Sequence, residues 1–230
     1  MGDFLKEKVL DKLFSNQDLK YKEFHSSLVP NISNFIGVRI PDIKKIAYEL
    51  NENEIINYLN LDSYTYYEEK MIYAFCLSKI KDYKTFIYYL EKFIPMIDNW
   101  AVCDSALASF KIINKRKEEF FDYISKYKNS NKEFELRFLV VCLLNYYLNS
   151  NYLNNVVDII NNIDVDYYYV NMAIAWLISI MFIKDRTFTL NYLRNNNLKK
   201  FIYNKSIQKI LESKRVAIQD KNVLKGMKRL

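Results

Sequence analysis

Turn-forming residues are scarce in this chain of 230 residues. It contains three glycines and three prolines in all. An all-β protein of this length would need far more turn residues between its short strands. Helices joined by short polar loops need few of them. The scarcity of glycine and proline therefore excludes an all-β fold and favours an all-α fold.

Histidine and cysteine are also rare, which excludes several kinds of active site. With His25 as the single histidine, multi-histidine metal sites are excluded, as are histidine-based triads elsewhere. No glycine lies in a GxxxxGK or GxGxxG pattern, so the usual phosphate-binding loops are absent. Cys76, Cys103 and Cys142 each lie in an apolar helical run, and we interpret them as reduced core residues. We expect no metal and no other cofactor.

No segment is typical of a secreted or membrane-spanning protein. Asp3, Lys6 and Glu7 interrupt the start of the chain, unlike a signal peptide. The longest uncharged apolar run covers residues 172–183, and a bilayer-spanning helix needs about 20 residues. A hydrophobic content of 50% excludes a disordered chain. These features predict a soluble, cytoplasmic protein without a membrane partner.

Positive charge is concentrated in residues 199–230, which we call the basic C-terminal segment. It contains ten Lys or Arg residues and two acids, so it carries +8, and the other 198 residues carry −1. Such a segment suits a polyanion as partner. The alternative is a last helix pair whose charges only keep the chain soluble. If the segment contacts phosphates, Lys214, Arg215 and Lys221 are the candidate contacts.

Apolar residues recur at helical spacing along nearly the whole chain. Successive helix pairs come every 30 to 40 residues or so, which is the range of helical repeat proteins. One pair cannot bury both of its faces, so neighbouring pairs must stack. We therefore predict a single all-α domain over residues 1–230, a right-handed HEAT-like helical-repeat solenoid (an α-α superhelix) with one concave face. The predicted helices cover residues 4–14, 18–28, 41–50, 54–61, 66–80, 83–97, 100–113, 115–127, 132–148, 152–162, 167–183, 187–195, 199–212 and 220–230.

Three helical stretches carry residues that a core does not require. Trp100 and Asp104 are four residues apart and share a helix face. Arg137 lies inside an apolar helix, and Trp176 lies in the middle of another. Each also has a structural interpretation: the tryptophans as core residues, Asp104 paired with a lysine, and Arg137 extending to solvent. Spacing alone leaves both interpretations open.

Several of these stretches resemble motifs of the AlkD-type DNA alkylation repair family. The stretch IGVRIP at residues 36–41, which leads into KKIA at 44–47, is similar to an early signature of that family. The stretch DNWAVCD at 98–104, the Arg137 helix and AIAW at 173–176 are similar to its later motifs, in the same order. The resemblance covers roughly residues 20–220. Its most specific part is the WxxxD element combined with the later tryptophan.

The resemblance implies a fold, a reaction and roles for particular residues. Family members are HEAT-like solenoids that hold double-stranded DNA on a basic concave face and cleave the N-glycosidic bond of N3- or N7-alkylated purines. Trp100 and Trp176 would then be the aromatic walls beside the deoxyribose of the lesion. Asp104 would be the catalytic carboxylate, and Arg137 would bind a phosphate. Since a solenoid that binds one duplex needs no second subunit, we expect a monomer.

The chain departs from the family pattern in two places, and two other functions stay open. Residues 21–25 resemble a branch that lacks an N-terminal DNA-contacting helix, and Asn99 stands where relatives carry another aromatic residue. One alternative is a non-catalytic HEAT-like module that binds damaged or branched DNA. Another is a protein-binding solenoid. The joint presence of Trp100, Asp104 and Trp176 favours the enzyme.

Overall fold

The computed structural model describes residues 2–29, 32 and 34–229, and its regular elements are helical. Fourteen α-helices and three short 3-10 segments, but no strand, occur within these residues, which confirms the all-α prediction. The helices are α1 (Gly2–Ser15), α2 (Leu19–Leu28), α3 (Ile40–Glu49), α4 (Glu52–Leu59), α5 (Tyr67–Leu77), α6 (Tyr83–Phe93), α7 (Trp100–Leu107), α8 (Lys117–Ser125), α9 (Glu133–Tyr146), α10 (Leu153–Asn161), α11 (Tyr168–Lys184), α12 (Arg186–Arg194), α13 (Lys200–Glu212) and α14 (Ile218–Lys225).

Helix starts follow side chains that cap the first turn. Asp82 accepts a hydrogen bond from the backbone N–H of Thr85 (2.8 Å) and so caps the start of α6. The predicted ranges 83–97 and 100–113 were wrong at their C-terminal ends. The first is interrupted near Pro95, which has no N–H to donate and whose ring clashes with the preceding turn. The second ends as α7 at Leu107, ahead of a 3-10 segment at Lys111–Lys115.

The contacts within the chain divide it into two compact units, one ending at Arg116 and one beginning at Lys117. In the first unit α3 packs on α5 and α5 packs on α7, with α4 and α6 also against α5. In the second unit α9 packs on α11 and α11 packs on α13, with α12 and α14 beside them. Contact between alternate helices is what stacked helical hairpins produce. The solenoid and its extent as one domain stay predictions.

One central helix forms the core of each unit. Among the residues of α5 only Lys70 is not fully buried, and α11 reaches the surface mainly through a stripe that includes Met172, Trp176 and Ile180. A helix buried on nearly all sides needs no amphipathic pattern, since it has little polar face to offer. The three cysteines are buried, as predicted. Within the described residues, no helix is both long and apolar enough to cross a membrane.

A buried carboxylate on α5 fixes the segment that leads into α3. Glu68 is 0% exposed, and its oxygens accept the backbone N–H groups of Ile36 (3.0 Å), Gly37 (2.7 Å) and Val38 (3.1 Å). Gly37 has a φ of 101°, and a Cβ there would lie 2.6 Å from the Cβ of Lys22 on α2. Only glycine fits this position without strain. The IGVRIP stretch is therefore a structural joint between α2, α3 and α5.

Candidate functional site

Trp100 and Asp104 share one accessible face of α7. Trp100 is the first residue of the helix, and Asp104 lies one turn further on. Both side chains are partly exposed, whereas Ala101, Val102 and Cys103 between them are buried. The helix thus turns its apolar face into the core of the first unit and presents an indole and a carboxyl group together at the surface.

Asn99 fixes where α7 begins. Its side-chain oxygen accepts the backbone N–H of Val102 (2.9 Å), and its amide nitrogen donates to the Asp98 carboxylate (2.7 Å). The residue is only 5% exposed. Asp98 in turn forms an ion pair with Lys70 of α5. Asn99 is therefore the N-cap of α7, and its side chain satisfies a backbone N–H of the first turn.

The indole of Trp100 is held by the end of α2. Its Nε1–H donates to the backbone carbonyl of Leu28, with 3.1 Å between the two heavy atoms. The centre of its ring lies 6.2 Å from the centre of the His25 ring. Trp100 is therefore neither a fully buried core residue nor a loose surface side chain. The end of α2 therefore fixes the orientation of the Trp100 ring.

His25 lies in an aromatic cluster behind Trp100. It is 6% exposed, and its Nε2 lies 3.0 Å from the hydroxyl oxygen of Tyr67. Its ring stacks on Tyr21 at 5.1 Å between centres and lies 5.3 Å from that of Phe35. Burial lowers the pKa of His25 below its usual range, since the charged imidazolium loses its hydration. The histidine is therefore a neutral packing and hydrogen-bonding residue near neutral pH.

Arg137 is buried in the second unit. Arg137 is only 6% exposed, so the interpretation that its side chain extends to solvent is wrong. One guanidinium nitrogen donates to the backbone carbonyl of Tyr169 at the start of α11 (2.7 Å). The neighbouring Glu133 accepts the backbone N–H of the same Tyr169 (2.8 Å). Arg137 and Glu133 thus hold the beginning of α11 from α9, and phosphate binding by Arg137 stays a prediction.

Trp176 belongs to the accessible stripe of α11. It is partly exposed, while Ala173, Ala175 and Leu177 around it are buried. Its backbone carbonyl accepts the hydroxyl of Ser179 (2.7 Å). A tryptophan in this stripe can offer part of its ring to a ligand, which a fully buried residue could not.

The predicted phosphate contacts of the basic C-terminal segment lie near its middle. Lys214 and Arg215 occupy the turn after α13 and are exposed, and Lys221 on α14 is partly exposed. Asp220, one of the two acids of the segment, already binds Arg186, whose Nε lies 2.7 Å from the carboxylate. Because Arg186 lies outside the segment and neutralises Asp220, the surface of the segment is more positive than its own net charge of +8 indicates.

A comparison with known protein families bears directly on these residues. The sequence model described as DNA alkylation repair enzyme matches residues 9–210. The chain belongs to the DNA alkylation repair enzyme family. A search among curated proteins found no match. The matched range of this repair-family protein contains Trp100, Asp104, Arg137 and Trp176, and it ends before Lys214.

The structure brings together some of the predicted site residues and adds others. Trp100 and Asp104 lie together in the first unit, while Trp176, Arg137 and the basic C-terminal segment belong to the second. Sequence reasoning missed the support of Trp100 by α2, although Tyr21 and His25 have the i, i+4 spacing of one helix face. Across the described residues, no group of three or more His, Cys, Asp or Glu side chains is placed to hold a metal ion.

The state of His25 gives this repair-family protein a pH-dependent stability. An unfolded histidine takes up its proton below its ordinary pKa of about 6.5, whereas the folded protein resists protonation until a lower pH. Between these values the unfolded state binds more protons, so the free energy of unfolding should fall as the pH falls below about 6.5. Denaturant unfolding at several pH values measures this, followed by the fluorescence of Trp100 in a Trp176→Phe background.

The matched variant for this experiment is His25→Gln, which keeps a polar side chain but cannot titrate. Its stability should lose the part of the pH dependence that begins below about 6.5. Two parallel curves for wild type and variant would contradict a buried, neutral His25.

Proposed function

We propose that this protein is a DNA glycosylase of alkylation repair that hydrolyses the N-glycosidic bond of N3- or N7-alkylated purines in double-stranded DNA. The observation that carries the proposal is the shared accessible face of Trp100 and Asp104 within a chain of the DNA alkylation repair enzyme family. The HEAT-like solenoid with a concave DNA-binding face is part of the same proposal, as is a monomer that acts without metal or cofactor.

The reaction needs few groups from the protein. An N3- or N7-alkylated purine is already cationic, so it takes the electron pair of the bond to C1′ and leaves as a neutral base without a general acid. The deoxyribose then carries positive charge, as in other glycosyl transfers. Water attacks C1′, its oxygen forms the new bond to that carbon, and one proton is released to the solvent. A chain with one histidine, which is buried, suits a reaction that needs no protonation of the leaving group.

Asp104 is the group proposed to stabilise the positive sugar. A carboxylate about 4 Å from a unit positive charge contributes about 4 kcal/mol at an effective dielectric constant near 20. This corresponds to roughly a thousandfold in rate. Its place one turn after Trp100, on a helix whose start is fixed by Asn99, supports this role.

Trp100 and Trp176 are proposed to face the deoxyribose of the lesion. An indole face beside a cation adds about 0.5–2 kcal/mol of attraction. The hydrogen bond from Trp100 to Leu28 fixes its ring before DNA arrives, so little rotational freedom is lost on binding. Both tryptophans are partly exposed, as this role requires.

The roles of the tryptophans are tested by base release from N7-methylguanine duplex DNA. Trp100→Ala and Trp176→Ala should each slow the release by roughly 2- to 30-fold, in line with the loss of one cation–π contact. A phenylalanine at either position should recover part of the rate, because it restores an aromatic face. Rates within error of wild type for both alanine variants would overturn the assignment.

The basic C-terminal segment is proposed to contact DNA phosphates through Lys214, Arg215 and Lys221. Each such contact contributes about −0.9 to the slope of log K against log salt. Replacing all three residues by Gln should therefore make the slope shallower by about 2.7. The measurement is fluorescence anisotropy of an undamaged duplex at several salt concentrations.

The matched control for the salt experiment is the triple replacement of Lys84, Lys115 and Lys128 by Gln. These lysines are also exposed but lie outside the basic C-terminal segment. The control removes the same charge from the chain and should leave the slope nearly unchanged. If both triple variants change the slope equally, the effect is that of net charge, and the three residues are not phosphate contacts.

A further inference from the structure

Four aromatic rings form a continuous row in the second unit. None of them is among Trp100, Asp104 and Trp176, the residues proposed to act in base release. The ring centre of Phe134 lies 5.8 Å from that of Tyr169, Tyr169 lies 5.3 Å from Tyr168, and Tyr168 lies 6.4 Å from Phe201. These residues occupy the first or second position of α9, α11 and α13. The row therefore crosses the same end of three helices that pack in series.

The row is exposed at its far end, at Tyr168 and Phe201. Tyr168 is 58% exposed and Phe201 is 46% exposed. Neither ring fills the core: the core positions at these helix starts are occupied by Val170, two residues after Tyr168, and by Ile202, directly after Phe201. Two neighbouring exposed aromatic rings gain free energy only when something covers them.

Phe201 also lines a groove of about 480 Å³ along α13. The described residues that line it include three lysines and no carboxylate: Lys200, Phe201, Asn204, Lys205, Gln208 and Lys228. Burial is the main cause that lowers the pKa of Lys209 on α13. The negative charge of Glu212 raises this pKa, and the positive charges of Lys205 and Arg137 lower it. The groove is thus a positive surface beside exposed aromatic rings.

Arg229 is fixed beside this groove. The backbone N–H of Arg229 donates to the side-chain oxygen of Asn204 (2.9 Å), and the amide of Asn204 donates back to the carbonyl of Arg229 (2.8 Å). The guanidinium of Arg229 stacks over the ring of Tyr203, 3.9 Å from its centre. Lys228 is therefore held at the rim of the groove by its neighbour.

We propose that this surface, consisting of Tyr168, Phe201, Lys200, Lys205 and Lys228, binds an unpaired strand of DNA. Exposed aromatic rings beside lysines are the combination that proteins use for single strands, with bases stacked on the rings and phosphates on the cations. The bases of an intact duplex already stack on each other, so a duplex would use the lysines alone. The proposal goes beyond base release and does not depend on it.

Stacking of a base on Phe201 is tested with the full chain and a short oligodeoxythymidine that carries one 2-aminopurine. Binding should change the 2-aminopurine fluorescence, which reports stacking. Phe201→Ala and Tyr168→Ala should each weaken single-strand binding by about 5- to 150-fold. Binding of a blunt undamaged duplex should change less than about twofold, since stacking is not available there. Phe201→Trp should keep the fluorescence change, whereas Phe201→Leu should lose it.

The matched control is Phe4→Ala, which removes a 74% exposed phenylalanine from α1. It should change neither the affinity nor the fluorescence. The proposal is overturned if Phe201→Ala leaves single-strand affinity unchanged, or if it weakens single strand and duplex equally. An oligouridine bound more than tenfold tighter than the DNA would overturn the assignment to DNA.

The two proposals fail separately in this experiment. If the wild-type chain releases alkylated bases but stacks no base on Phe201, only the proposal of a single-strand site is overturned. A protein that stacks an unpaired base but releases no alkylpurine would overturn only the glycosylase proposal. A protein or acidic peptide that displaces the oligonucleotide and binds more tightly would show that the surface serves a different class of partner.

Discussion

Asp104→Asn is expected to slow the release of N7-methylguanine from duplex DNA by two or more decades. Asn has nearly the shape of Asp but no negative charge, so the positive sugar of the transition state loses its electrostatic partner. Two decades correspond to about 3 kcal/mol of barrier. The measurement is single-turnover base release with enzyme in excess, which separates the chemical step from binding.

The position of Asp104 allows this test to isolate chemistry. The residue is partly exposed on α7, so the amide should leave the fold and most of the duplex affinity intact. Asp122→Asn is the matched control, because it removes an exposed carboxylate from α8, and it should leave the rate unchanged. An Asp104→Asn variant that releases the base within twofold of wild type would remove Asp104 from the mechanism.

Glu68→Ala is expected to lower the free energy of unfolding by on the order of 3–5 kcal/mol. The substitution leaves three backbone N–H groups in the segment Ile36–Val38 without their buried acceptor. Each unsatisfied buried donor costs about 1–3 kcal/mol. Denaturant unfolding followed by Trp100 fluorescence in the Trp176→Phe background reports on this unit directly.

The control for Glu68 is Glu52→Ala. Glu52 forms an ion pair with Lys81, and both side chains are 86% exposed, so its loss should cost less than about 1 kcal/mol. Glu68→Gln keeps one acceptor oxygen in place and should be intermediate. Equal losses for the Glu68→Ala and Glu52→Ala variants would mean that the three hydrogen bonds do not hold the joint between α2, α3 and α5.

The helices were predictable because their signal is local. Apolar spacing located all fourteen, and scarce glycine and proline excluded the main alternative. The C-terminal ends of α6 and α7 were missed because each helix is followed by a 3-10 segment, and the apolar spacing does not change where the α-helix ends and the 3-10 segment begins. The sequence allowed either Asp98 or Asn99 as the cap of α7, since both side chains are of a capping type and stand before an apolar run, and the structure shows that Asn99 is the cap.

The supports of the candidate site were not predictable, because they join residues distant in sequence. Glu68 looks like an ordinary acid in the first turn of α5, and nothing local shows that it reaches the loop thirty residues earlier. His25 and Tyr67 meet across forty-two residues. The burial of Arg137 depends on how α9 packs on α11, which a helical pattern does not specify. The pairing of Trp100 with Asp104 was predictable, since a spacing of four fixes a shared face.

Release of methylated bases from duplex DNA by the wild-type chain tests the central claim most directly. Duplex DNA containing N7-methylguanine and N3-methyladenine is incubated with the protein, and the free bases are quantified against the spontaneous rate, with duplex binding measured in parallel. The account predicts release of at least one of these bases well above the spontaneous rate. Release of both at the spontaneous rate by a protein that still binds the duplex would contradict the glycosylase function and leave a non-catalytic DNA-binding module in its place.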